Sequence, residues 1–106
     1  MRTLNHFGVV TTTPQPGEFY AEGLKVHLTN FNDSAHKIEF LRFEEGSPLP
    51  ELLQTTAHIA YVVDSIAEEL KSAAKVLVEP FEGGENLMCA FVEEEGIAIE
   101  LMEFTK

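Results

Sequence analysis

AHIAYVVDSIAEEL, residues 57–70, reads as a strand that runs directly into a helix. Ile59, Tyr61, Val62 and Val63 are β-branched or aromatic and suit a pleated, half-buried surface, so the strand spans Ala57 to Val63. Period two places His58, Ala60 and Val62 on one face. Asp64 and Ser65 then enter the helix. Ser65 with Glu68 three residues later forms a capping box, in which hydroxyl and carboxylate each serve a free backbone N–H. Ile66, Ala67, Leu70, Ala73 and Ala74 continue as one apolar helical stripe. A strand feeding a packed helix begins a module, and the rest of the chain reads as that module plus an abridged copy of it.

Downstream, Lys75 to Val78 is a short strand stopped by Pro80, and Glu82 to Glu85 is a turn around Gly83 and Gly84. Leu87 to Val92 is a strand, Glu93 to Gly96 an acidic turn, and Ile97 to Phe104 the last strand, with Ala98, Glu100, Met102 and Phe104 on one face. The second half therefore reads β, α, β, β, β. Upstream, Glu44 to Pro50 is a linker carrying Gly46, Pro48 and Pro50, followed by a short turn at Glu51 to Gln54. This is the seam between the halves.

The first half opens with a strand, Leu4 to Val10, that has His6, Gly8 and Val10 on one face. A loop with Pro14, Pro16 and Gly17 follows and leaves little room for a helix. Tyr20, Leu24, Val26 and Leu28 follow period two, which favours a long strand over Glu18 to Phe31, bulged at Gly23; a single helical turn over Glu18 to Glu22 is the alternative. Asn32, Asp33 and Ser34 are turn formers. In His36 to Phe43, Glu39, Leu41 and Phe43 share one face, while Ile38, Phe40 and Arg42 share the other.

The halves superimpose. His6, Gly8 and Val10 repeat as His58, Ala60 and Val62, and Glu39, Leu41 and Phe43 repeat as Glu100, Met102 and Phe104, within KIEFLRF and AIELMEF. His6 and Glu39 are 33 positions apart and His58 and Glu100 are 42 apart. The difference matches the loss of one helix. The expected architecture is a single α+β domain over 1–106, with module one at about 1–44, a linker at about 45–55 and module two at about 56–106.

Composition narrows the function. With 106 residues and 44% hydrophobic content the chain can bury one core. Eighteen acids against seven bases give a net charge of −11, which disfavours nucleic acid and any site that grips several phosphates. Cys89, the only cysteine, sits among Leu87, Met88, Ala90 and Phe91 and reads as a buried structural thiol. No run approaches the roughly 18 apolar residues that span a bilayer, and no signal-like stretch opens the chain. The expectation is a cytoplasmic protein.

A carboxylate on an apolar strand face is costly to desolvate unless it is paired or coordinated. Here two histidines and two glutamates recur at matched positions, each on a face of otherwise apolar or small residues. Imidazole with carboxylate suits Zn, Ni, Co, Mn or Fe, so His6, Glu39, His58 and Glu100 are the candidate ligands of a divalent metal ion. Gly8 and Ala60 beside the histidines are expected to leave space for a ligand. Tyr20, His27 and His36 read as surface or packing residues, and Arg42 lies on the face opposite Glu39.

At these residues the chain resembles the vicinal oxygen chelate superfamily, which includes glyoxalase I, methylmalonyl-CoA epimerase and the bleomycin resistance proteins. The likeness runs through KIEFLRF, EEGSPLPELL, AHIAYVVDSIAEEL and AIELMEF, over about residues 37–104. It implies two βαβββ-type modules curling into a mixed-sheet cup, with the helix of the first lost or reduced. It also implies that His6, Glu39, His58 and Glu100 hold a metal, and that Glu100, or Glu39 in the symmetric role, is the catalytic base. The activity it implies is a glyoxalase-like lyase or isomerase moving a proton beside a chelated oxygen pair of a small 2-oxo or 2-hydroxy compound.

A non-catalytic, drug-sequestering protein of the same fold is the second expectation, marked by an acidic aromatic cup of Phe19, Tyr20, Phe91 and Phe104. A metal-dependent dioxygenase is a third, against which the second carboxylate speaks. With few basic residues, the chain offers no grip for a CoA phosphate chain or for anionic glutathione. An incomplete first module leaves apolar or edge-strand surface on which a homodimer could form.

Overall fold

The computed structural model describes residues 1–105. Eight strands form one mixed sheet: β1 (Thr3–Val10), β2 (Phe19–Ala21), β3 (Val26–Leu28), β4 (Ile38–Phe43), β5 (His58–Val62), β6 (Val76–Gly84), β7 (Leu87–Glu94) and β8 (Ile97–Phe104). Two short helices, α1 (Glu51–Thr55) and α2 (Ile66–Lys71), accompany them. The strand order is β2-β3-β4-β1-β5-β8-β7-β6, curled into a half-barrel. β1 pairs with β4 in parallel and with β5 antiparallel, and β5 pairs with β8 in parallel. The fold is α+β and mostly sheet.

Alternation along the strands sorts side chains into two layers. On the outer face Val63, Ala90, Val92, Ile99 and Leu101 are buried against Ile66 of α2, with Leu70 and Ala73 packed at the margin. On the inner face Leu53 of α1 packs with Phe91 and Ala98, while Ala60, Cys89 and Met102 form a further buried group. Among the described residues no helix is long and apolar enough to cross a membrane.

Several local expectations are corrected. Glu18 to Phe31 is a hairpin: β2 and β3 pair antiparallel around a 3-10 turn at Glu22–Leu24. The chain reverses there because Lys25 adopts a left-handed conformation (φ 52°) and donates its N–H to the Glu22 carbonyl at 3.2 Å. β6 does not stop at Pro80 but continues to Gly84. It is an edge strand whose register shifts between Val78 and Phe81, so the missing proline N–H breaks no ladder.

The turn after β7 is also tighter than expected. It is confined to Glu95 and Gly96, both at positive φ (54° and 83°), as a two-residue hairpin turn requires. The turn at Glu51 is a five-residue helix, and between β1 and β2 there is no helix at all.

α2 begins as expected but ends early. Ser65 Oγ accepts the Glu68 N–H at 3.2 Å. The return arm of the capping box is absent, because the Glu68 carboxylate pairs with Lys71 at 3.0 Å. Glu103, reaching over from β8, accepts the Ile66 N–H at 2.8 Å instead. Ser72 closes the helix, so Ala73 and Ala74 of the expected stripe lie beyond it.

Candidate metal centre

Strand register builds the site. Gly8 on β1 stands opposite Glu39 on β4 and opposite His58 on β5; one step along, Ala60 on β5 stands opposite His6 on β1 and opposite Glu100 on β8. Four neighbouring strands thus deliver two histidines and two glutamates to one face, with a small residue between the members of each row. Gly8 does not leave space for a ligand, as the sequence led us to expect. A β-carbon at position 8 would fall inside the His58 imidazole, so this glycine is what lets the ring lie across β1.

His6 Nε2 lies 3.4 Å from Glu100 Oε1 and 3.7 Å from Glu39 Oε1; His58 Nε2 lies 3.3 and 3.7 Å from the same atoms. His6, His58 and Glu100 offer ligand atoms within 4.8 Å of one another, the spacing of a group that could hold a metal ion. Both histidines are buried, 3% and 1% exposed, and neither Nε2 has a hydrogen-bond partner, nor does His58 Nδ1. A buried polar atom left unpaired costs about 1–3 kcal/mol. Two such nitrogens facing two carboxylates could be served by a proton on an imidazole or by a metal ion, and the mix of imidazole and carboxylate is of the kind that divalent transition metals take.

The ring of His6 is fixed from behind. Its Nδ1 lies 2.8 Å from Asn5 Oδ1, so with the amide accepting, Nδ1 carries the proton and Nε2 turns a lone pair to the site. Phe31 stacks on the same ring at 4.3 Å and 9°. Phe91 meets His58 edge-on at 5.5 Å.

The two carboxyls are pushed apart. Burial, then the negative charge of Glu100, raises Glu39 to about 7 against the pull of His58 and His6. Burial also works against ionising Glu100, but polar contact with His58 and His6 outweighs it and holds that group down to about 2. The thiol of Cys89 is pushed far up by burial, then by the charge of Glu100, and stays protonated.

Above these groups opens a cavity of about 440 Å³. Its polar lining is Glu39, His58 and Glu100, with the Cys89 thiol; its walls are aliphatic and aromatic. Of the expected aromatic cup only Phe91 lines it, and Phe81, stacked on Phe91 at 6.2 Å, takes part in place of Phe19, Tyr20 and Phe104. Those three side chains are exposed, Phe19 and Tyr20 on the edge strand β2 and Phe104 at the end of β8, 55%, 42% and 58% respectively. His27 sits instead between Glu44 (2.7 Å) and Glu18 (3.6 Å), and Arg42 pairs with Glu18. Neither they nor His36 line the cavity.

Asn5 and Phe31 were not legible as parts of the site. Period two points Asn5 to the opposite face, but the register shifts between Leu4 and His6, and that bulge brings its amide to the neighbouring ring. Phe31 was expected to end the strand that starts at Glu18; it instead opens a 3-10 turn over Phe31–Asp33, shaped by Asn30 Oδ1, which accepts the Asn32 N–H at 2.8 Å.

No family model and no curated protein matches the chain. Among solved structures it is similar to the crystal structure of hypothetical protein BH1468 from Bacillus halodurans C-125. The TM-score is 0.72 at 22% identity, over 99% of this chain and 96% of that one. The likeness shows the fold.

Proposed function

We propose that this chain is a two-module protein of the vicinal oxygen chelate type, and that it works as a metal-dependent lyase or isomerase on a small 2-oxo or 2-hydroxy compound. One observation carries this: His58, Glu100 and Glu39 line a cavity and His6 meets them from behind, outside the lining, with the Nε2 atoms of both histidines unpartnered. Strand order supports the modular part, since β2-β3-β4-β1 recurs as β6-β7-β8-β5, with a helix after the first strand only in the second set.

His6, His58 and Glu100 would hold Zn, Ni, Co, Mn or Fe. When bound, such an ion supplies Lewis-acid stabilisation of negative charge developing on two neighbouring substrate oxygens. The protein's own residues divide the remaining work. Glu100 is the inner carboxylate, closer to both histidines and 13% exposed. Glu39 stands further off and is 20% exposed, which leaves it free to take a proton from carbon and return it. Asn5 and Phe31 keep the His6 lone pair on the site. Leu41, Leu53 and Phe91 wall the reacting carbon off from water.

The test is exchange in D2O. Metal-loaded protein is incubated with small 2-oxo and 2-hydroxy acids while proton NMR follows loss of the C–H signal next to the carbonyl. The proposal expects exchange with at least one compound, abolished in a Glu39→Gln variant that still retains its metal. Exchange that survives in Glu39→Gln would remove Glu39 from the role. The apolar cavity supports a second reading, a binding protein of the same fold; tight ligand binding without exchange under any metal would favour it.

A further inference from the structure

We propose that the cavity above His58, Glu39 and Glu100 selects a substrate with one bidentate oxygen head and an uncharged, apolar body, and rejects substrates borne on anionic handles such as phosphates or additional carboxylates. This rests on the metal-dependent reading and narrows it to a substrate class.

All the polarity of the cavity lies at its floor. The wall above consists of groups such as Leu28, Leu41, Leu49, Leu53, Val78 and Phe81, and none of the lining residues is lysine or arginine. Lys25, between the lining residues Leu24 and Val26, lays its side chain near Gly46 and does not line the cavity. Arg42 is held by Glu18, Arg2 by Glu69 and Glu94, Lys71 by Glu68 and Lys75 by Glu93. The whole chain carries a net charge of −11.

An oxygen head can find its charge partner on the floor. A second anionic group further up would lose its water and meet only hydrocarbon and like charge. An apolar body in the same place buries surface against leucine and phenylalanine, and the stacked pair Phe81 and Phe91, parallel within 7°, gives it a flat wall. The volume, about 440 Å³, falls within the usual range for small-molecule sites.

The experiment uses the full chain loaded with Co2+, whose visible spectrum reports both metal occupancy and ligand exchange. Three probes share one chelating head: acetohydroxamate, benzohydroxamate and 4-carboxybenzohydroxamate. Benzohydroxamate is expected to bind at least about tenfold more tightly than either of the others, the first gap from apolar burial and the second from an unpartnered charge. A Leu28→Lys variant, changed at a half-buried position on the wall, is expected to close most of the gap between the carboxylated and plain aromatic probes. Val78→Lys, on the edge strand, serves the same purpose if the first variant does not fold.

Failure to take up cobalt in protein that is folded by circular dichroism would sink the metal-dependent reading and this inference with it. Cobalt uptake with all three probes bound equally, with the carboxylated probe bound best, or with no gain for it in the lysine variant, would overturn the inference alone and leave the metal centre standing.

Discussion

The half of the sheet built from β1 to β4 and the half built from β5 to β8 each deliver one histidine and one glutamate, but they are held together by different forces. In the second half α2 covers the outer face, and Leu101, Ala90, Val92 and Ile99 are almost wholly removed from water beneath it. In the first half no helix covers that face, and Phe7 remains 37% exposed. Polar contacts take over there: Arg42 donates to Glu18 from Nε at 3.0 Å, and His27 bridges Glu18 and Glu44. Apolar burial is indifferent to pH, whereas ion pairs titrate. Glu100 is therefore held on the firmer half and Glu39 on the looser one, in keeping with a ligand and a proton carrier.

The largest difference should appear on truncating the two faces. Leu101→Ala is expected to lower the unfolding free energy by about 2–5 kcal/mol, measured by urea denaturation. Phe40→Ala, on the half-buried first face, is expected to lose less than half as much. Equal losses would mean the first half is as well packed as the second.

Next comes the junction between the halves. Gly8→Ala drives a methyl into the His58 ring, so metal affinity should fall by at least about tenfold, as it does when a ligand's support is lost. Calorimetric titration with Co2+ measures this, and an unchanged affinity would show that the ring does not need to lie across β1. Asn5→Ala should weaken affinity by roughly 10–100-fold through loss of the His6 tautomer. Asn5→Asp, which keeps an acceptor on Nδ1, should restore most of it, with nitrogen chemical shifts of His6 reporting which ring atom is protonated.

The smallest effect concerns acid. The Arg42 guanidinium, with help from the Gln15 N–H, holds Glu18 down to about 2, below the ordinary 4.5. A carboxylate lowered in the folded state stabilises it above the ordinary range, and that contribution is lost as pH falls towards the folded value. Glu100 on β8 is lowered as far and titrates in the same window, so the test isolates Glu18: amide protection in β2 and β3, corrected for intrinsic exchange, should decline between about pH 4.5 and 2, and a Glu18→Gln variant should lack that part of the decline. A decline in β2 and β3 that is unchanged in Glu18→Gln would remove the Arg42 pair from the forces that hold the first half.

The four candidate ligands were legible because strand parity fixes a face without knowledge of anything distant. A histidine two residues before a glycine or alanine, and a glutamate two before Leu41 or Met102, say enough once the pattern occurs twice. The hairpin in Glu18 to Phe31 was not legible, since the turn depends on a lysine at positive φ, where local preference expects glycine. The extent of β6 was hidden because Pro80 is tolerated only at an edge, and which strand lies at the edge is a property of the whole sheet. Gly8 and Asn5 were misread or missed for a related reason. Their roles follow from a ring on another strand and from a bulge, neither of which has a local signature.

The most direct measurement is the metal content of the intact protein purified without chelator and offered Ni, Co, Zn, Mn and Fe in turn, beside a His6→Ala, His58→Ala double variant. About one equivalent of one of these ions is expected in the first and none in the second, because two imidazoles and a carboxylate make the minimum set that could retain it. A folded wild-type protein that takes up no ion, or a double variant that binds as much, would contradict the metal centre on which the proposed chemistry depends.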